Sequence, residues 1–340
     1  MEFVDNSLDD AEALFNHARG EYSRLVTIDV HVSRDDRTLR IVDDCRGMPP
    51  DMLSRVVMRV GESRKRGASF VNGQFGFGMQ SFRAACTTLT VTSRSAGERA
   101  HRIRVEREQC AGFRLEPVGA AEAPALTADE SGAACTGTEV VLAGFDKQWV
   151  DESFHAAAVA SEIESHFERL LDRRELRVRV WDDDAPDAAP LCCRPIDYQQ
   201  LCPGASVKLD VDLGHGQTAQ CNLCVLPSTG GGLAPKAGGA SGTSADVGGF
   251  AAGMQAYASR FFVSGRRIAS CGATSSFARG SANRWTIWSN PCVVGYIDVR
   301  GERGGPLQPV ITRDEFKNTR HRAKACESLA HSRPLGYLLT

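Results

Sequence analysis

The sequence predicts a mixed α+β fold in two domains, with a boundary near residues 145–155. Three observations predict it. A length of 340 residues suits two medium-sized domains. Hydrophobic residues at 42% and charged residues at 24% give the balance of a globular chain with a packed core. Helix-like and strand-like periodicities are interleaved in both halves, and no internal repeat is visible.

The elements follow in order. Residues 2–18 carry Phe3, Leu8, Ala11, Leu14 and Phe15 on or near one helical face. Val26 to Val32 and Thr38 to Val42 alternate like strands around the turn residues Arg34, Asp35 and Asp36. Pro49-Pro50 opens a helix through about Arg59. Residues 60–78 are rich in glycine and charge, and a helix is expected from Met79. Strands are expected at Leu89 to Ser93, His101 to Glu106 and Thr138 to Leu142, with a loop insertion over 118–136. Phe154 to Leu171 reads as helix and Leu176 to Trp181 as strand. The acidic run Asp182 to Asp187 reads as a solvated turn. Strand character returns at Val207 to Leu213, Ala219 to Leu226, Arg260 to Ser264 and Val293 to Val299. Residues 228–253, dominated by Gly, Ala and Ser, read as a flexible surface excursion. A last helix is expected from about Arg313 to Leu329.

Composition also excludes several classes. The net charge of -2 does not point to nucleic acid, although a local basic patch is compatible with it. There is no run of about 18 apolar residues, and the start has no secretory pattern. Twelve scattered cysteines make no paired framework, so reduced, intracellular thiols are expected. Cys221 and Cys224 form one C-x-x-C, but a zinc site needs about four ligands, so buried thiols are the expectation.

Three short constellations carry chemistry. In the first, Glu2 and Asn6 are four residues apart and share one helical face. An acid there can orient or deprotonate a water, and an amide oxygen one turn away can bind Mg²⁺. In the second, Asp43-Asp44-Cys45-Arg46-Gly47-Met48 follows a strand. A carboxylate at a strand end can accept from an exocyclic amine, and Gly47 lets a flat base approach the backbone. In the third, Gly73-Gln74-Phe75-Gly76-Phe77-Gly78 precedes a helix-like segment. Successive backbone N–H groups there can curl around an anion. It is not a Walker A loop, since no Gly-Lys-Ser/Thr follows, and no strand directly precedes it as a Rossmann turn requires.

The three occur in order, about 40 and then about 30 residues apart, each on a suitable element. Together they resemble the GHKL superfamily: gyrase-type topoisomerases, the ninety-kilodalton heat-shock chaperone, sensor histidine kinases and MutL. Glu2 to Asp9 resembles the N-box, residues 73–78 resemble the chaperone and MORC forms of the glycine loop, and Gly137-Thr138 resembles the fourth motif. The resemblance implies a Bergerat-type α/β sandwich over 1–150 and a transducer-like α/β domain over 151–335. It implies ATP and Mg²⁺ as ligands. Glu2 would be general base, Asn6 the Mg²⁺ ligand, and Asp43 the adenine partner, with Gly47, Met48 and Thr138 beside it. Gly73, Gln74, Phe75, Gly76, Phe77 and Gly78 would hold the phosphates. Residues 60–78 would form a lid, with Ser63 and Lys65 as phosphate contacts.

In the second half, Val294 to Val299 and Ile311 to Phe316 resemble the end of the transducer, and Phe262 to Ile268 its N-G-R-x-I strand. Arg313 matches an arginine that reaches the γ-phosphate, with Lys317 as the alternative. The resemblance implies a nucleotide-dependent homodimer and hydrolase activity, with a lean toward MORC- and topoisomerase-like roles on DNA or chromatin over a chaperone-like role. The basic residues between Arg313 and Lys324 fit either DNA contact or a solvated helix face. Two departures stand out. Cys45 occupies the first glycine of the family's D-x-G-x-G pattern, where a side chain would crowd the adenine. The chain also begins inside the N-box helix, so a truncated sequence is one expectation. Both departures motivate an alternative: a nucleotide-sensing scaffold that does not hydrolyse ATP.

Overall fold

The computed structural model describes residues 1–16, 18–58, 78–109, 111–123, 126, 135–195, 197, 206–214, 217–225, 253–258, 261–264 and 293–301. Two compact units divide the chain, Met1–Pro195 and Ile196–Thr340.

The first unit opens with α1 (Glu2–Ala11), followed by a 3₁₀ turn at Glu12–Leu14 and the short strand β1 (Phe15–Asn16). The helix is therefore shorter than the 2–18 span its periodicity suggests. Turn chemistry overrides periodicity here. The Asn16 carboxamide accepts from the amides of Ala18 and Arg19, and Gly20 follows at φ +70°. That turn reverses the chain into β2 (Glu21–Ser33).

Nine strands make one mixed sheet. In spatial order they are β6 (Leu115–Pro117), β5 (His101–Glu106), β4 (Cys86–Arg94), β7 (Gly137–Phe145), β3 (Thr38–Asp43), β2, β8 (Arg174–Asp182) and β9 (Leu191–Cys192), with β1 added on β2. Val26, Ile28, Val30 and Val32 on β2 are buried, as are Ile41, Leu89, Val91, Ile103, Val140, Leu142, Val178 and Val180 on its neighbours. The intervening residues, such as Asp29, His31, Arg40, Glu139 and Arg179, are half-buried. This period-two split gives the sheet one core face and one polar face. On the core side stand α1, α2 (Pro50–Met58), the 3₁₀ segment Gly78–Ala84 and α4 (Ala156–Leu171), after the short α3 (Lys147–Ser153). From these helical segments Phe3, Leu8, Leu53, Phe82, Ile163 and Leu170 are buried.

The first unit runs past the boundary expected near 145–155. The reason is β8, which pairs parallel with β2, Ile28 beside Val178 and Val30 beside Val180. The helix and strand after residue 150 thus complete the first sheet. At the foot of β8, Arg173 forms a buried ion pair with Glu12, bonds the Tyr22 hydroxyl at 3.1 Å, and lies 3.9 Å from the Phe15 ring centroid. The acidic turn after β8 is more than solvated. Asp184 accepts from the Ser33 hydroxyl and the Arg34 amide, both at 2.7 Å, and so ties that turn to the end of β2.

In the second unit, β10 (Ser206–Gly214), β11 (Gln217–Val225), β14 (Val293–Gly301), β12 (Gly253–Ala258) and β13 (Phe261–Ser264) form a five-stranded sheet in that spatial order. All its pairings are antiparallel except β12 with β14, which is parallel. Cys221 and Cys224 both lie on β11. The Gly/Ala/Ser-rich stretch up to residue 252 and the helix expected over 313–329 lie outside the described residues.

Candidate functional site

Three adjacent strands end in polar residues at the same edge of the core face. Asp43 closes β3 and lies opposite Thr138 on β7, and Thr138 lies opposite Ser93 on β4. Residues directly opposite across a ladder point to one face. The row therefore continues the apolar row of Ile41, Val140 and Val91 with a carboxylate and two hydroxyls, all buried. A polar row at core-facing positions is costly unless its members are satisfied, and these satisfy one another. The Asp43 carboxylate accepts from the Ser7 hydroxyl at 2.7 Å on Oδ2, and from the amides of Cys45 and Thr138, each at 3.1 Å, on Oδ1. A carboxylate has about four acceptor positions, so Oδ2 keeps one for a ligand. Burial pushes the Asp43 carboxyl up to about 6, opposed by the Ser7 hydroxyl and helped by the neighbouring charge of Asp10.

The segment after Asp43 is held in place from three sides. Gly47 has φ +69°, and a Cβ there would collide with the carbonyls of Arg94 and Gly137. Glycine is required on both counts. The Asp10 carboxylate accepts from the amides of Arg46 at 2.9 Å and Gly47 at 3.2 Å, and pairs with the Arg46 guanidinium at 2.6 Å. The Met48 amide donates to the Ser93 hydroxyl at 2.8 Å. Thr136 donates to the Cys45 carbonyl at 2.6 Å, which ties the same turn to the approach of β7.

Helix α1 lies across this arrangement. Most of its residues are buried, including Asp5, Ser7 and Asp9. Glu2, Asn6 and Asp10, spaced by four, form a half-buried polar stripe. That stripe is about 12 Å long at 1.5 Å per residue. Its Asp10 end holds the turn after Asp43. In its middle, the Asn6 amide donates to the Met79 sulfur at 3.9 Å, beside Gly78 at the start of the 3₁₀ segment. A thioether can only accept. The Asn6 carboxamide thus uses one of its two N–H donors on Met79, and among the described residues nothing donates to its oxygen. An uncommitted amide oxygen suits a hard divalent cation. The segment after the glycine loop is a seven-residue 3₁₀ stretch, not the longer helix the sequence suggests.

Cys45 takes a core position. Its side chain is fully buried with Ala11, Tyr22 and Val26, against Leu14, Phe15 and Leu176, and its thiol approaches the Ser7 carbonyl at 3.5 Å. Burial pushes the thiol pKa far up. The side chain that stands in for a glycine thus fills the core beneath the turn.

These placements meet an independent comparison. A family model described as histidine kinase-, DNA gyrase B- and HSP90-like ATPase matches residues 1–127. This segment is a GHKL-type ATPase domain. No curated protein matches the chain. The mixed sheet with helices on one face agrees with the α+β architecture of that ATPase fold. Members of the superfamily bind ATP, so the domain is assigned as a nucleotide-binding domain, and no helix among the described residues is long and apolar enough to cross a membrane.

Within the first unit, Glu2, Asn6, Asp43, Gly47, Met48, Gly78 and Thr138 are all among the described residues. Asp43, Gly47, Met48 and Thr138 come together directly, and Asn6 meets the segment that begins at Gly78. Ser63, Lys65, Gly73, Gln74, Phe75, Gly76, Phe77, Arg313 and Lys317 lie outside the described residues. Sequence reasoning missed Ser7, Asp10 and Ser93. A signal for Ser93 exists: the core-facing positions of β4 read Leu89, Val91, Ser93, so a hydroxyl interrupts an apolar alternation. Asp10 leaves no such trace, because acidic residues near a helix end are ordinary. Asp10, Asp43 and Cys45 also bring potential metal-ligating atoms within 4.8 Å of one another. The Asp10 carboxylate is already committed to Arg46 and the Gly47 amide, so the cluster is read as an internal brace.

Proposed function

We propose that the first unit binds ATP with Mg²⁺, hydrolyses it slowly, and uses the cycle to switch conformation. One observation carries the proposal. The half-buried stripe of α1 connects the turn below Asp43 with the segment that begins at Gly78, so base-binding and phosphate-binding groups share one helix. In this reading Asp43 accepts the adenine amine on Oδ2, and Thr138 and Met48 flank the base. Gly47 allows the ring to lie against the backbone. Asn6 offers its carboxamide oxygen to the cation, which when bound would neutralise phosphate charge. Glu2, one turn before Asn6 on the same stripe, orients and deprotonates the attacking water.

Residues 73–78 would donate backbone amides to the phosphates, Ser63 and Lys65 would add lid contacts, and Arg313 or Lys317 would answer the γ-phosphate from a transducer-like second unit. These roles rest on sequence resemblance, as do the homodimer and the MORC- or topoisomerase-like direction toward DNA or chromatin. ATP drives such a switch only if it binds the closed state more tightly than the open one. The full chain provides the test. Glu2→Ala should keep Mg²⁺-dependent binding of a non-hydrolysable ATP analogue while steady-state phosphate release falls to background. A parent protein that binds ATP but never releases phosphate would leave the nucleotide-sensing scaffold as the better reading. Asn6→Ala should remove the Mg²⁺ dependence of binding, and solution mass measured with and without the analogue reports on dimer closure.

A further inference from the structure

We infer that Ser93 is a specificity-determining positioning residue: its single hydroxyl proton fixes the direction of the Thr138 hydroxyl, so that Thr138 presents an acceptor beside Asp43 to the base. The inference deepens the proposed ATP site and rests on it. Three contacts meet at the Ser93 oxygen. The Met48 amide donates to it at 2.8 Å, it donates to the Gly137 carbonyl at 3.0 Å, and it lies 2.8 Å from the Thr138 hydroxyl.

A serine hydroxyl has one proton and two lone pairs. The Gly137 carbonyl can only accept, so that bond uses the proton. The Met48 amide can only donate, so it takes one lone pair. The remaining lone pair must receive the Thr138 proton, because no other arrangement satisfies all three contacts. Thr138 is buried, and so is Ser93, so an unmade bond here is not replaced by bulk water. Thr138 Oγ1 consequently keeps only lone pairs for a ligand. Beside it, the Thr138 amide is already spent on Asp43 Oδ1, and Asp43 Oδ2 retains one acceptor position.

A base entering beside Asp43 thus meets an acceptor on Asp43 Oδ2 and another on Thr138 Oγ1. A 6-amino purine supplies the protons such a pair requires. A 6-keto purine sets an oxygen where the amine stood and has only its ring N1–H to donate, so at least one buried acceptor is left unpaired, which is the costly side of hydrogen-bond discrimination. Ser93 touches no ligand in this scheme. It acts through Thr138 and through the Met48 amide, which it holds at the turn.

The test compares ATP with inosine triphosphate, which differs at the 6-position and the neighbouring ring nitrogen. Mg²⁺-supported binding to the full-length protein is measured by calorimetry. The parent should prefer ATP strongly. Ser93→Ala frees the Thr138 proton to point at a keto oxygen, so the ATP-to-inosine-triphosphate affinity ratio should fall by about tenfold or more. Ser93→Thr, which keeps the hydroxyl, should restore it. A purely structural role would weaken both nucleotides alike and leave the ratio unmoved, and that outcome overturns the inference. If Ser93→Ala fails to fold, Ser93→Cys keeps the volume and weakens the bonds, and its ratio must also fall. A parent that binds both nucleotides equally overturns the inference alone. A parent that binds neither overturns the proposed ATP site and this inference with it.

Discussion

Replacing Asp43 by Asn separates the stability of the site from its chemistry. Asn is nearly isosteric with Asp and can still accept from the Cys45 and Thr138 amides on one atom. Its amide nitrogen then faces the Ser7 hydroxyl, which can turn to accept. The buried charge disappears. In the folded protein the Asp43 carboxyl sits at about 6, above its ordinary 3.8. Between those values the folded state binds more protons than the unfolded one, so stability falls as pH rises. The relative advantage is complete below 3.8 and gone above about 6. At about 1.4 kcal/mol per pH unit, the ionised side chain costs the fold about 3 kcal/mol at neutral pH.

Asp43→Asn should recover part of that, on the order of 1–3 kcal/mol, and should flatten the fall in stability between pH 4 and 6. Urea unfolding followed by circular dichroism across that range measures both. Binding should move the other way. The variant would aim an N–H where the adenine amine needs an acceptor, removing a bond to a charged group worth roughly 1.5–3 kcal/mol. Affinity for ATP should drop by at least about tenfold. In the parent, affinity should strengthen as pH rises through about 6, where Asp43 becomes a full acceptor. Unchanged ATP affinity in Asp43→Asn would refute the assignment of the base site. An unchanged pH slope would refute the buried charge.

Other predictions concern the support beneath the site. Cys45→Ala should leave ATP affinity within about twofold, because the thiol lies in the core under the turn, yet lower stability by about 1 kcal/mol through the void it leaves; calorimetry and thermal melting report the two effects. In the folded parent, Cys45 should resist thiol reagents that label the exposed Cys192. Arg173→Ala should cost roughly 3–5 kcal/mol, since it leaves Glu12 buried and unpaired. A combined Glu12→Gln, Arg173→Met replacement should cost clearly less, and denaturant titrations of the single and double variants test the difference.

Much of the candidate site is legible in local patterns of the sequence. Glu2 and Asn6 at a spacing of four, Asp43 at a strand end, Gly47 in a turn and Thr138 opening a strand are local patterns. Their chemistry depends on residues within one or two turns of chain. The element order of the first sheet was legible for the same reason, since alternation along a strand is a local property.

What the sequence left open needed partners far apart in the chain. Periodicity alone carries α1 past Ala11, because it does not weigh the Asn16 turn against the apolar face. The domain boundary moved to Pro195 because β8 finds β2, a pairing over about 150 residues that no window on the sequence contains. The packing of Cys45 with Tyr22 and Val26 likewise joins residues that no local pattern connects. Ser93 mattered only once β4, β7 and the turn after Asp43 met at one oxygen. The chain by itself determined which groups can accept, donate or bend, because those are properties of residue types at fixed spacing. Which of them face one another was decided by the register of the sheet, where each strand's alignment selects its cross-strand neighbours and sets the direction of every shared proton.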